Sequence, residues 1–355
     1  MKRVYTLFKY KRYQQRRMRK CERLRLLHYK KRLKLLYYYS KQIKPSLGKP
    51  NNIYYPEIKA PRDFRFLDNT AECALFFRDI RTRGKISVKN YEKFKTISLT
   101  DVELIDFASV HTLTAICKEL KCNGINVYGN LPKNDQCREF MVHSGFLDNK
   151  YDRAGRLFRL SNQTETMSFE MGQGLKLQTQ HIINLLKISL RISDHLYSNE
   201  CGYSRRFMPI LKEICGNSID WADSYKKQWF FAARFDANKV TVAVIDLGQG
   251  ILASLERKFI DYLKDLITAK SYVQILSGAF NKKYGSKSNE INRNRGLPSL
   301  KAAFEHGIIK RLIVLTNNVL LSFDERHNNC KFANTYDAFK GTLYFFEIDK
   351  SCLIA

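Results

Sequence analysis

Trp229-Phe230-Phe231-Ala232-Ala233-Arg234 and Val240-Thr241-Val242-Ala243-Val244-Ile245 are two β-type runs, separated by the turn-forming residues Phe235-Asp236-Ala237-Asn238-Lys239. They predict a β-hairpin. The second run ends in Asp246-Leu247-Gly248-Gln249-Gly250-Ile251. There a carboxylate leaves the strand end and two glycines allow the backbone to come close to a ligand.

On the N-terminal side, residues 204–222 carry Ile210, Leu211, Ile214 and Cys215 on one side of a predicted helix. Glu213, Asn217 and Asp220 fall at i, i+4 and i+7, a polar stripe able to line a pocket. A preceding helix, from about Gln173 to Ser198, repeats Ile183, Leu186, Ser189 and Ile192 at heptad-like spacing, as at a packing or dimer interface. His181 is the only histidine placed to receive a phosphoryl group ahead of this region. The isoleucine after it points to a structural histidine instead.

On the C-terminal side, Asn294-Arg295-Gly296-Leu297-Pro298-Ser299-Leu300 introduces a helix that Gly307 stops, and the first turn of such a helix offers free amides to phosphates. Strands around 308–315 and 319–323 follow, with Asn317-Asn318 as their turn, and Gly341-Thr342 precedes a strand from Leu343 to Ile348.

Residues 53–160 alternate strand and helix: Phe94 to Leu99 as a buried strand, Ser109 to Cys122 as a helix, Ile125 to Gly129 as a short strand, and a helix from Pro132 and Asn134 to Gly145. That order implies a small parallel or mixed sheet. The run 45–52, within Lys44-Pro45-Ser46-Leu47-Gly48-Lys49-Pro50-Asn51-Asn52, is rich in breakers and reads as a linker. Ahead of it, residues 1–44 hold 17 Lys and Arg against the single Glu22, which is +16 of the formal +28. Tyrosines and near-helically spaced leucines interrupt this charge. A basic helical arm of this kind attracts nucleic acid or an anionic membrane surface, or packs on the protein itself or on a partner subunit.

The chain has 355 residues and is 44% hydrophobic, enough for two cores, with no apolar run approaching the roughly 20 residues of a membrane span. Basic residues interrupt the N-terminus without a signal-peptide core, and nine cysteines are scattered without a CxxC pair. Both features predict a cytoplasmic protein with reduced thiols and no structural zinc.

The order of motifs from residue 175 onward resembles the ATP-binding fold of the gyrase, heat-shock chaperone, histidine kinase and mismatch-repair (GHKL) family. Its first helix motif, E-x-x-x-N-[AS]-x-[DH]-A, is matched by Glu213, Asn217, Ser218 and Asp220, with Ala222 one place late; D-x-G-x-G is matched in full by Asp246, Gly248 and Gly250. Asn294 replaces the first glycine of the phosphate-covering box, leaving Arg295-Gly296-Leu297, and Gly341-Thr342 matches the closing G-T.

The resemblance implies an α/β (α+β) fold class with a C-terminal Bergerat-type sandwich, built on a mixed sheet, over residues 175–355. The implied cofactors are ATP and Mg2+. Asn217 would hold the magnesium through its side-chain oxygen, Glu213 would activate water, and Asp246 would accept from the adenine amino group. Asp220, Gly248, Gly250, Ile251, Arg295, Gly296, Leu297 and Thr342 would complete the nucleotide site. A lid from about Leu252 to Arg295, carrying Lys282, Lys283, Lys287, Arg293 and Arg295, would close over the phosphates.

Within 53–160, Ile97-Ser98-Leu99-Thr100-Asp101-Val102-Glu103-Leu104-Ile105-Asp106 resembles the STAS domain of anti-sigma-factor antagonists. Ala108 stands at that family's phosphoacceptor position and has no hydroxyl, with Ser109 beside it. The resemblance therefore implies a module that docks a protein partner or dimerises. The expectation is a cytoplasmic, bacterial, Mg-dependent ATPase, ATP-gated switch or kinase, with a homodimer through the 173–198 helix as one arrangement it allows. The alternative is a nucleic-acid-binding protein that uses the basic arm and keeps the nucleotide fold as scaffold.

Overall fold

The computed structural model describes residues 57–82, 93–147, 150, 158, 167–174, 177–197, 202–221, 228–258, 271–281, 296–324, 327–334 and 339–353. The expected arm (1–44) and linker (45–52) lie outside the described residues. Residues 55–355 form one compact unit. It is a mixed α/β structure with both parallel and antiparallel sheets.

In its N-terminal part β1 (Ile58–Lys59), β3 (Lys93–Ser98) and β5 (Ile125–Gly129) form a parallel sheet in the order β1-β3-β5, and β2 (Asp63–Phe64) pairs in parallel with β4 (Leu104–Ile105). Parallel neighbours need crossovers, supplied here by α1 (Thr70–Thr82) and α2 (Phe107–Cys122); α3 (Asp135–His143) follows β5. Helix α2 starts on a capping box: the Asp106 carboxylate accepts from the Ser109 amide at 2.7 Å, and the Ser109 hydroxyl oxygen accepts from the Asp106 amide at 3.4 Å. The α3 N-cap is Asn134, whose side chain accepts from the Cys137 amide at 3.0 Å.

The larger sheet has seven strands in the order β11-β10-β9-β12-β8-β7-β6, all antiparallel: β6 (Met167–Gly172), β7 (Trp229–Asp236), β8 (Lys239–Asp246), β9 (Lys310–Asn317), β10 (Val319–Ser322), β11 (Cys330–Lys331) and β12 (Phe339–Asp349). The predicted hairpin is present, but Asp236 pairs with Lys239, so two residues rather than five make its turn. The sheet also begins earlier than residue 175. Strand β6 places Met167, Phe169 and Met171 on one face and Ser168 and Glu170 on the other, a period of two legible in the sequence and overlooked.

One face of this sheet is covered by α4 (Thr179–Tyr197), α5 (Gly202–Trp221), α6 (Ile251–Lys258), α7 (Tyr272–Phe280) and α8 (Gly296–Glu305). The other face packs on α1 and α2. Antiparallel sheets often leave one face to water, which makes their strands alternate; the central strands of this one are covered on both sides, which is why β7 and β8 read as almost continuous apolar runs. The same sandwiching explains α2, buried from Phe107 through Ile116 because it lies between the small parallel sheet and the large one.

The segments 53–160 and 175–355 therefore share a hydrophobic layer, in which Phe66, Phe77 and Val110 join Phe230, Ile245, Leu343 and Phe345. Phe66 packs edge-on against both Phe77 and Phe339, at 5.0 and 5.2 Å between ring centroids. A polar tie crosses the same layer. His111, 1% exposed, donates from Nε2 to the Phe230 carbonyl at 3.1 Å, and burial pushes its pKa down to about 3, so the ring is neutral.

The heptad-like row on α4, expected at a packing or dimer interface, is split between the two sides of the helix. Its buried side is Leu185, Ile188, Ser189, Ile192 and Leu196, whereas Ile183 and Leu186 are exposed. A spacing of three residues turns about 300° per step, so a row of strict threes drifts around the helix instead of holding one face. Among the described residues no helix is long and apolar enough to cross a membrane.

A shared core has a measurable consequence. Phe66→Ala should cost about 3–5 kcal/mol, and the loss should appear in the denaturation midpoint followed by tryptophan fluorescence. Both tryptophans, Trp221 and Trp229, belong to the far segment. An unshifted tryptophan transition would show two independent cores.

Candidate functional site

On the helix-covered face, at one end of the large sheet, three polar residues stand side by side across neighbouring strands. Asp246 closes β8, Thr342 pairs with it on β12, and Thr316 on β9 pairs with Thr342. All three are buried. The Asp246 carboxylate accepts from the Gly248 amide at 3.0 Å and from the Thr342 hydroxyl. The Thr316 hydroxyl lies 3.3 Å from that of Thr342 and donates to the Gly341 carbonyl at 3.1 Å.

The same row builds the start of α6. The first amides of a helix have no partner within it. Here the Ile251 amide donates to the Thr316 hydroxyl at 2.9 Å and the Leu252 amide to the Asn317 side-chain oxygen at 3.1 Å, so a neighbouring strand caps the helix. Asn317 also donates from its side chain to the Gln249 carbonyl at 2.7 Å. It adopts φ of 55°, a left-handed conformation that asparagine tolerates.

Two glycines are required by this arrangement. At Gly250, with φ of 83°, an added Cβ would come within 2.3 Å of the Asn317 side chain. At Gly341 it would come within 2.3 Å of the Asp246 carbonyl. Of the predicted residues here, Gly248 supplies the amide that Asp246 accepts, and Ile251 gives its own amide to Thr316.

The second half of the site is the contact of α5 with α8. Glu213 and Asn217 lie one turn apart on α5, both partly exposed. Gly296, the first residue of α8, faces them so closely that a Cβ there would lie 2.2 Å from the Asn217 amide nitrogen and 2.6 Å from a Glu213 oxygen. Leu297 packs on the adjoining apolar cluster. A carboxylate next to a helix N-terminus is favourably placed in the field of the helix.

Tyr344 joins the two halves. It lies two residues beyond Thr342 and so points to the same face of the sheet. Burial raises its pKa well above the usual phenol value, and the carboxylates of Asp246 and Glu213 raise it further, so the ring is within electrostatic reach of both. Asn217, Gly296, Glu213 and Asp246 are thus gathered on one side of one sheet. Asp220 lies on α5, its side chain outside the described residues. Arg295, Asn294, Lys282, Lys283, Lys287 and Arg293 also lie outside them, as does most of the expected lid.

The candidate phosphoacceptors His181 and Ser109 both make local contacts. The His181 ring packs edge-on against Trp229 at 5.6 Å and accepts from the Gln178 amide at 3.4 Å. Ser109 is fully buried, its hydroxyl held in the α2 capping box. Among the described residues no group of three or more His, Cys, Asp or Glu side chains could hold a metal ion.

The residues that sequence reading missed are Thr316, Asn317 and Tyr344. A signal existed for the tyrosine in its period of two from Thr342. For Thr316 and Asn317 there was none, because their role depends on which strand lies beside β12. No protein-family model matches the chain, and no curated protein matches it.

Burial pushes the Asp246 carboxyl up to about 7 from an ordinary 3.8, against the opposing pull of the Gly248 amide, the Thr342 hydroxyl and the Arg81 charge. The folded protein thus binds this proton more tightly than the unfolded chain. Its stabilising effect is complete below about pH 4 and is lost as pH rises through about 7. Stability of the wild type should therefore fall relative to Asp246→Asn across that window in urea titrations. Parallel pH profiles for the two proteins would show that this carboxyl titrates normally.

Proposed function

We propose that residues 167–355 form a nucleotide-binding unit of the GHKL type, taking ATP with Mg2+ and acting as an ATP hydrolase or an ATP-gated switch. The observation that carries this reading is that Glu213 and Asn217 of α5 meet the glycine-started helix α8, while a buried carboxylate–threonine pair sits along the same face of the sheet. The four motifs come together in two pairs, Glu213 and Asn217 with Gly296 and Asp246 with Thr342, on one face of the sheet.

The residues fit the chemistry of the group. Asp246 is a buried acceptor, held by the Gly248 amide and the Thr342 hydroxyl, whose remaining acceptor capacity suits an exocyclic amino group. The Thr342 hydroxyl beside it can turn as donor or acceptor. Gly250 and Gly341 let the Asn317 side chain and the Asp246 backbone pack closely at this end. At the other end the Asn217 side-chain oxygen is a hard ligand of the kind magnesium takes, and the α8 N-terminus presents amides to anionic oxygens.

Bound magnesium would neutralise phosphate charge and so favour departure of the terminal phosphoryl group. Asn217 would orient that metal. Glu213, one turn away, would hold the attacking water and take its proton as general base. Gly296 keeps this corner narrow, since any side chain there would displace both groups. The parallel-sheet part, residues 57–147, fits a STAS-like module that docks a partner and passes its state to the sheet through their shared core.

Isothermal titration of the full chain with ATP and Mg2+ should show saturable binding in the wild type, weakened at least about tenfold in Asp246→Asn, which exchanges an acceptor for a donor. No heat with wild-type protein would overturn the proposal. Glu213→Ala should keep ATP binding while phosphate release stops; equal turnover in that variant would remove Glu213 from the mechanism.

A further inference from the structure

Arg81 is the penultimate residue of α1, in the parallel-sheet part, yet its guanidinium reaches the loops of the large sheet. From Nη2 it donates to the Leu247 carbonyl at 2.7 Å, and from Nη1 to the carbonyl of Lys340. Leu247 lies between Asp246 and Gly248, and Lys340 immediately precedes Gly341-Thr342. One side chain thus holds the two backbone segments that flank the buried Asp246–Thr342 pair. Glu119 of α2 aims it, accepting from Nε at 3.0 Å and from Nη2 at 3.1 Å in a bidentate pair.

The support beneath Arg81 is itself fastened. Lys95 of β3, buried, donates from its ammonium to the Ile80 carbonyl, one residue before Arg81. An ion pair with Glu119 alone would need neither Leu247 nor Lys340. An arginine fork matched to two separate carbonyls is geometry a lysine cannot reproduce. The Arg81 charge also reaches Asp246, where it favours the ionised carboxyl.

We propose that Arg81 is a positioning residue for the base-recognition end of the nucleotide site, through which residues 57–147 set the affinity and base preference of the large sheet. This rests on the nucleotide reading above. Arg81 touches no ligand. It fixes where the Asp246 carboxylate and the Thr342 hydroxyl stand, so that a base with an exocyclic amino donor at that point, adenine rather than guanine, finds its acceptor in place. Any partner that shifts α1 would then move the loops on either side of that pair.

The test uses the full chain as wild type, Arg81→Lys and Arg81→Ala, with Mg-ATP and Mg-GTP titrated separately. Amide hydrogen exchange at Gly248, Ile251 and Leu252 is followed without nucleotide. Wild type should prefer ATP. Arg81→Ala should bind ATP about tenfold more weakly, lose about the same factor in the ATP:GTP ratio, and exchange those three amides faster, with Arg81→Lys intermediate. A merely structural role would lower the folded fraction but leave the ratio among folded molecules unchanged. If Arg81→Ala fails to fold, Arg81→Lys carries the comparison. An unchanged ratio with unchanged exchange overturns the role of Arg81 while leaving the nucleotide reading standing. Wild-type protein that binds neither nucleotide overturns both.

Discussion

A carboxylate shut away from water must be solvated by the protein, and at Asp246 that requirement organises the end of the large sheet. The Gly248 amide and the Thr342 hydroxyl supply the solvation. To deliver the amide, the chain must turn immediately after β8; to deliver the hydroxyl, β12 must pass so close that only glycine fits at 341. Thr316, next in the row, then becomes available to cap α6. A single buried charge thus fixes the path of three strands and the start of one helix. Burial outweighs the donors, which leaves the group titrating near neutrality instead of as an ordinary acid.

The second constraint is that the central strands of the large sheet are covered on both faces. Helices from the C-terminal segment cover one face, in a core built from that segment alone, and α1 and α2 cover the other, in a core that both segments share. This also brings Arg81 within reach of the Asp246 loop. The ion pair between Arg81 and Glu119 is largely screened from solvent, where pairing contributes more than it does on an open surface.

Much of the fold was legible. Helices α2 and α3 stand where the apolar spacing, Asn134 and Gly145 placed them, and the hairpin β7–β8 follows from its composition. Strand β5 matches residue for residue. The extent of α8 was readable from Pro298 and Gly307. What could not be read was pairing between distant strands. Nothing local says that Thr316 lies beside Thr342, or that Asn317 reaches back across the chain to Gln249 and Leu252. The row on α4 is half buried and half exposed for a different reason, since threes and fours must alternate to hold one face and that row contains only threes. For the candidate site, the motif residues were identifiable one by one, and the approach of Gly296 to Glu213 and Asn217 and the pairing of Asp246 with Thr342 were not.

The all-round burial of α2 bears on how the chain is made. Residues 107–122 leave the ribosome long before the hairpin at 229–246 that covers their outer surface. At roughly 5–20 residues per second, that interval is on the order of ten seconds. During it Val110, Leu113 and Ile116 have the small parallel sheet on one side and no permanent neighbour on the other. The nascent protein is therefore most exposed to misassociation in its middle age, after its first sheet has formed and before its second exists, and this is the interval in which a folding helper would have most to protect.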